Sequence, residues 1–237
     1  MIVKLYKFII KMENFKNYFN ENNGFGNHKK IAIKLLEETI AILKDFEINH
    51  CLISGTLLGY VRHNDFIPWD DDIDLLVDDT IFEKIYDISK KYNNINVFYK
   101  DKKETIKFCY SNGDEILENS RVKYWKECAL KGKEYCWPFV DLFAYESNDK
   151  SILFFKKEWD INNFLPFEMV DFLGIKTFIP KNTNKFLQMN YGFDYKKKFK
   201  SSPYSHKAEE WMEDVITINS HELLNEEDLK WTVKTRD

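Results

Sequence analysis

Apolar residues at Ile31, Leu35, Leu36, Ile40, Leu43 and Phe46 recur every three to four positions, the spacing of one face of an α-helix. Glu37, Glu38 and Lys44 fall among its solvent-facing positions. The pattern changes at His50–Ser54, a short apolar run halted by Gly55 that predicts a buried strand, and Thr56–Val61 opens a second helix at that glycine. Ile73–Val77 predicts a further strand and Ile81–Tyr92 a helix. Asn96–Lys100, Thr105–Tyr110 and Phe139–Ala144 read as three more strands. Lys181–Tyr191 lies between Pro180 and Gly192, the start and stop punctuation of a helix. Helices mixed with short strands imply an α/β or α+β chain built on a modest sheet.

Composition narrows the class. The chain has 237 residues, 44% hydrophobic and 31% charged, with 20 Phe, 13 Tyr and 6 Trp to fill a core, which excludes a disordered chain. A net charge of −4 argues against nucleic acid as the main partner, because that binding runs on neutralised phosphates. Residues 1–27 lack periodicity and read as an N-terminal arm, residues 28–205 as the main domain, and residues 206–237 as an acidic extension. The run Ile2–Ile10 is broken by Lys4 and Lys7, far short of the ~20 apolar residues a membrane span needs, so a cytoplasmic protein is expected. Cys51, Cys109, Cys128 and Cys136 form no C-x-x-C pair, which suits a reducing compartment. A zinc site on Cys128 and Cys136 is a minor alternative.

The chemistry concentrates between Ser54 and Asp79. Asp70, Asp71, Asp72, Asp74, Asp78 and Asp79 place six carboxylates in ten residues, flanked by Ile67, Pro68 and Trp69 before and Leu75–Val77 after. Asp72 and Asp74 alternate with Ile73 and Leu75, so on a strand both carboxylates share one face. Adjacent carboxylates repel, and the arrangement calls for a cation with a preference for hard oxygen, Mg²⁺ or Mn²⁺. An EF-hand calcium loop fails, because Leu75 stands where its glycine belongs and Ile81 where its glutamate belongs. Gly55 and Thr56, after an apolar strand, suit close backbone approach to a phosphate, although the ending of a Walker loop is missing. Of the 35 basic residues only Arg62, Arg121 and Arg236 are arginine. Arg62 is therefore either a phosphate clamp or an ion-pair partner of a neighbouring aspartate, with His63 beside it.

The segment GTLLGYVRHNDFIPWDDDIDL, Gly55–Leu75, resembles the signature of the LicD and fukutin-related phosphotransferases of the nucleotidyltransferase-fold superfamily. Trp137–Phe143 is similar to the family's later strand with a third aspartate, and Gly174–Pro180 followed by Tyr191 and Gly192 resembles its C-terminal hallmark. The resemblance covers about residues 30–200. It implies an α+β nucleotidyltransferase-like fold with a small mixed sheet flanked by helices. It also implies an enzyme that moves a phosphorylated alcohol from a CDP-linked donor, such as CDP-choline or CDP-ribitol, to a glycan hydroxyl. Carried over by position, Asp72 and Asp74 match the metal-binding pair and Asp141 the third carboxylate, as metal ligand or as base. Gly55 and Thr56 match the donor-phosphate turn, and Asp70 a recurrent acidic position.

Two other readings compete. One is a nucleotidyltransferase with a different substrate, for which Lys196–Lys200 with Tyr195 and Phe199 offers the only basic, aromatic groove. The other is a non-catalytic binding protein that kept the fold, against which the intact Asp72, Asp74 and Asp141 speak. Trp69, Trp125 and Trp137 suit either stacking on a ligand or core filling. His206 and His221, with no partner pattern, read as surface residues.

Overall fold

The computed structural model describes residues 24–98, 105–110, 136–208, 210–211 and 217–219. Its first long element, α1 (Lys29–Asp45), buries Ala32, Leu35, Leu36, Ile40, Ile42 and Leu43 against the sheet, the stripe expected from the periodicity. Glu37 and Lys44 are exposed on α1. Glu38 departs from expectation: it is half-buried and accepts a hydrogen bond from Asn94 Nδ2 at 3.1 Å. The strand β1 (His50–Leu52) leads into α2 (Ser54–His63), then come β2 (Ile73–Asp78) and α3 (Ile81–Lys91). The strands β3 (Ile95–Phe98), β4 (Ile106–Tyr110) and β5 (Phe139–Ser147) complete a sheet ordered β1-β2-β5-β4-β3. Within it β2 and β5 run parallel and the other neighbours antiparallel. This is a mixed sheet with flanking helices, an α+β fold.

Interior position explains why β2 reads as apolar and acidic at once. Its neighbours β1 and β5 hide all six of its residues, Ile73 and Leu75 completely. The sheet is extended by β6 (Ser151–Phe154) and β7 (Lys157–Asp160), and a separate hairpin joins β8 (Glu168–Phe172) to β9 (Ile175–Ile179). None of these four strands is predicted above. The helix α4 (Thr183–Tyr191) starts under an Asn182 side-chain cap to the Lys185 N–H and ends at Gly192. After it, β10 (Lys198–Lys200), β11 (Tyr204–Ser205), β12 (Glu210–Trp211) and β13 (Thr217–Asn219) form two short antiparallel pairs, β10 with β13 and β11 with β12.

Phe25 is buried against the rings of Phe66 and Trp137 at 5.0 and 5.9 Å, and the turn Gly26–His28 runs straight into α1. The boundary at 205/206 lies within the β11–β12 hairpin. Cys51 and Cys109 are buried free thiols and Cys136 is buried, whereas Trp125, Cys128 and His221 lie outside the described residues. No helix among the described residues is long and apolar enough to cross a membrane.

Candidate active site

Strand register assembles the site. Parallel pairing sets Asp74 opposite Asp141, and antiparallel pairing sets Lys107 opposite Asp141, so three charged side chains line up across β2, β5 and β4. Asp72 lies two residues before Asp74, one step along the strand. The carboxylates of Asp72, Asp74 and Asp141 each bring an oxygen within 4.8 Å of the others. Like charges held this close in a buried site fit a divalent cation that prefers oxygen.

The electrostatics show what holding this cluster costs. Burial, then repulsion from Asp72, Asp141 and Asp70, pushes the Asp74 carboxyl well above the usual range, with a hydrogen bond from the Gly55 N–H opposing. Burial does the same to Asp70, reinforced by Asp72 and Asp71 and opposed by Arg62. Asp141 is raised to about 6, chiefly by burial, against the pull of Lys107. The Lys107 ammonium sits 2.7 Å from Asp141 Oδ1 and 3.6 Å from the centre of the Phe139 ring. Tyr191 adds a phenol whose pKa is raised by burial and then by Asp74, Asp70 and Asp72.

The turn into α2 is shaped around these acids. Ser54 takes a left-handed φ of 49°, a costly conformation for a residue with a side chain. Gly55 follows, and a Cβ there would lie 2.3 Å from Asp70 Oδ2. The glycine thus makes room for a carboxylate of the chain itself. Thr56 is buried, and its Oγ1 accepts the Asp74 N–H at 2.8 Å. That bond ties the first turn of α2 to the acid-bearing strand β2.

Above the acids opens a cavity of about 610 Å³. Gly55, Asp70, Asp72 and Asp74 lie on one side, and the segment after α4 supplies Tyr195, Lys198, Lys200, Tyr204, His206 and Trp211. That segment is strapped down by Arg62 at the end of α2 and by Trp69 and Asp71 in the loop that follows. Arg62 Nη1 donates to the carbonyls of Tyr195 and Lys198 at 3.2 and 3.0 Å, and Trp69 Nε1 donates to the carbonyl of Lys200 at 2.9 Å. The Asp71 carboxylate accepts the N–H groups of His206 and Lys207 at 3.2 and 2.8 Å.

The expected site residues divide accordingly. Asp70, Asp72, Asp74 and Gly55 meet at the cavity, with Asp141 beside the pair. Arg62 lines the cavity but is 2% exposed. Its Nε donates to His63 Nε2 at 2.9 Å, and its guanidinium lies 5.0 Å from the Phe199 ring centre. Its hydrogen bonds brace the strap, while its charge favours the ionised form of Asp70. His63 is not among the cavity-lining residues. It packs edge-on to Trp69, and burial and the Arg62 charge push its pKa down to about 3, so the ring is neutral. Trp69, Trp137 and Phe199 are core side chains. Two residues escaped the sequence reading. Lys107 carried no signal until β4 was paired with β5. His206, expected at the surface, places Nε2 3.2 Å from Asp72 Oδ2. From it a row of edge-to-face rings leads outward, His206 to Tyr204 at 5.1 Å and Tyr204 to Trp211 at 5.2 Å.

Comparison with known proteins gives one family match. A model described as LicD/FKTN/FKRP, nucleotidyltransferase domain, matches residues 47–182, which include the Gly55 turn and all three converging aspartates and stop short of the strap. Over 58 residues the chain is 34% identical to the lipopolysaccharide cholinephosphotransferase LicD of Haemophilus influenzae, covering 24% of this chain and 22% of that protein. Over 98 residues it is 33% identical to the uncharacterized protein RP689 of Rickettsia prowazekii, covering 33% of this chain and 36% of that protein. The matches therefore span well under half the length of either relative.

Proposed function

The chain belongs to the LicD/FKTN/FKRP nucleotidyltransferase-domain family, and on that premise we propose that it is a metal-dependent phosphotransferase. In this reading it moves a phosphorylated alcohol, of phosphocholine or polyol phosphate type, from a CDP-activated donor to a hydroxyl of a glycan or glycoconjugate. The observation that carries the proposal is the convergence of Asp72, Asp74 and Asp141 beside a cavity whose far wall bears Lys198 and Lys200.

Asp72 and Asp74 are the residues to hold Mg²⁺ or Mn²⁺, with Asp141 adjacent. A bound divalent ion supplies neutralisation of charge on the donor pyrophosphate and the departing nucleotide. Lys198 and Lys200 face the same space and suit the donor's remaining phosphate oxygens. Gly55, half-buried at the N-terminus of α2, lines the same cavity and is the turn proposed to lie beside a donor phosphate. Asp141, raised to about 6, lies in the range that suits taking a proton from an acceptor hydroxyl, and Lys107 holds its carboxylate in place. The phenol of Tyr191, raised in pKa, stays protonated at neutral pH and is a hydrogen-bond donor toward the same space. The buried thiols of Cys51, Cys109 and Cys136 suit a reducing, cytoplasmic setting.

Thermal denaturation with CDP-choline, CDP-ribitol or CDP-glycerol, each with Mn²⁺ and with chelator, tests the proposal. A ligand at a hundred times its Kd stabilises the native state by about 2.7 kcal/mol, and one donor should do so only with metal present. If none of the three shifts the melting temperature in Mn²⁺ or Mg²⁺, the donor assignment fails.

A further inference from the structure

Phe193 is 89% exposed, the highest value among the large hydrophobic side chains described, and Met189 is 61% exposed. Single exposed apolar residues are ordinary, but the setting of these two is not. Between residues 181 and 200 the chain carries Lys181, Lys185, Lys196, Lys197, Lys198 and Lys200 against one acid, Asp194. All six lysines are exposed. Six positive charges less one negative make this stretch +5, in a chain whose net charge is −4.

The knuckle is also rigid. Gly192, at φ 89°, closes α4 with its N–H on the Gln188 carbonyl at 2.9 Å. The Tyr195 N–H then bonds the Gly192 carbonyl at 3.2 Å, and the N–H groups of Lys197 and Lys198 bond the Asp194 carbonyl at 2.8 and 3.0 Å. Tyr195 is buried, its hydroxyl 2.6 Å from Asn184 Oδ1 and its carbonyl held by Arg62. Phe193 is therefore presented to water on a braced turn. Two apolar side chains are too few for a stable protein interface. They suffice for a bilayer, where a shallowly inserted ring adds to the pull of lysines on anionic headgroups.

We propose that residues 185–197 form a membrane-surface contact for an anionic bilayer. Phe193 and Met189 enter the headgroup boundary, and Lys185, Lys196 and Lys197 lie against the lipid phosphates. Asn190 and Tyr191, in the same stretch, line the cavity, so docking brings its mouth to the lipid surface. This goes beyond the proposed reaction and does not depend on it.

Co-sedimentation of the full chain with phosphatidylcholine vesicles, with and without phosphatidylglycerol, tests the contact. Wild type should bind the anionic vesicles and lose about tenfold or more in partitioning on neutral vesicles or in high salt. Phe193→Ser should weaken anionic-vesicle binding by about tenfold, and Lys196→Glu with Lys197→Glu by at least as much. Melting temperatures of the Phe193 and lysine variants should stay unchanged, and Phe155→Ser, an exposed apolar residue of the β6–β7 turn outside residues 185–197, should bind like wild type. Absence of wild-type binding overturns the proposal. So does loss with the lysine pair but not with Phe193→Ser, which leaves only non-specific adsorption. Equal loss in Phe155→Ser also overturns it.

Discussion

Replacing Asp74 by Asn asks whether the acidic cluster is a cation site or a salt-bridged structural knot. The swap keeps shape and an oxygen that can accept the Gly55 N–H, and it removes one charge from a group whose members raise each other's pKa. Asp141 sets the scale: a rise from 3.8 to about 6 corresponds to about 3 kcal/mol of stability lost between a pH below both values and a pH above both. A raised folded pKa favours the native state at pH below the unfolded value, and that contribution disappears as pH climbs through the folded one. Metal-free wild type should therefore carry a growing penalty from about pH 4 upward. Asp74→Asn removes a share of it. In chelator at pH 8 the variant should match wild type or exceed it by about 1–3 kcal/mol, with the advantage shrinking toward pH 4. In Mn²⁺ the order should reverse, because wild type gains a ligand and the variant does not.

Urea unfolding of both proteins at several pH values, each with chelator and with Mn²⁺, measures all of this. A variant weaker than wild type in chelator that still gains stability from Mn²⁺ refutes the reasoning. That result would mean Asp74 is held by favourable partners and the cation binds elsewhere.

Two further substitutions probe the frame around the acids. Gly55→Ala should cost about 1–3 kcal/mol and depress turnover, because its methyl would lie 2.3 Å from Asp70 Oδ2; unchanged unfolding would show that Asp70 moves aside freely. Arg62→Lys keeps the charge but loses the fork that holds Tyr195, Lys198 and His63. It should destabilise by about 1–3 kcal/mol and raise protease cutting within 195–207; normal stability with weakened donor binding would instead return Arg62 to the role of phosphate clamp.

How much of this was legible in the sequence varies from residue to residue, for physical reasons. The stripe of α1 and the alternation of Asp72 and Asp74 with Ile73 and Leu75 are local patterns, and each survives folding because one element alone expresses it. The hairpin strands β6 and β7 stayed hidden because their turn puts Phe155 and Lys156 at φ 51° and 58°. Such positions usually announce themselves as Gly, Asn or Asp. The β8–β9 turn is half visible: Gly174 takes φ 83°, but Leu173 before it takes 57°. Arg62 was conspicuous by rarity, and its ambiguity was genuine. A guanidinium suits a phosphate as well as a carboxylate, and the carbonyl it holds 133 residues later is a partner that no local pattern announces.

That long-range path also carries the site beyond the family-matched segment. The aspartates and the Gly55 turn lie inside the family-matched segment 47–182, while the lysines and rings facing them lie beyond it. Arg62, Trp69 and Asp71 reach the strap through its backbone carbonyls and N–H groups. Most of the bonds that hold the strap run to its backbone, and Ser205 Oγ, 3.4 Å from Asp71 Oδ2, and His206 Nε2, 3.2 Å from Asp72 Oδ2, add side-chain contacts. Lys198 and Lys200 are held through their carbonyls, so their side chains can change without losing the bonds to Arg62 and Trp69. An acid-lined floor faced by a wall held largely through its backbone is an arrangement in which wall side chains can change while the floor is kept.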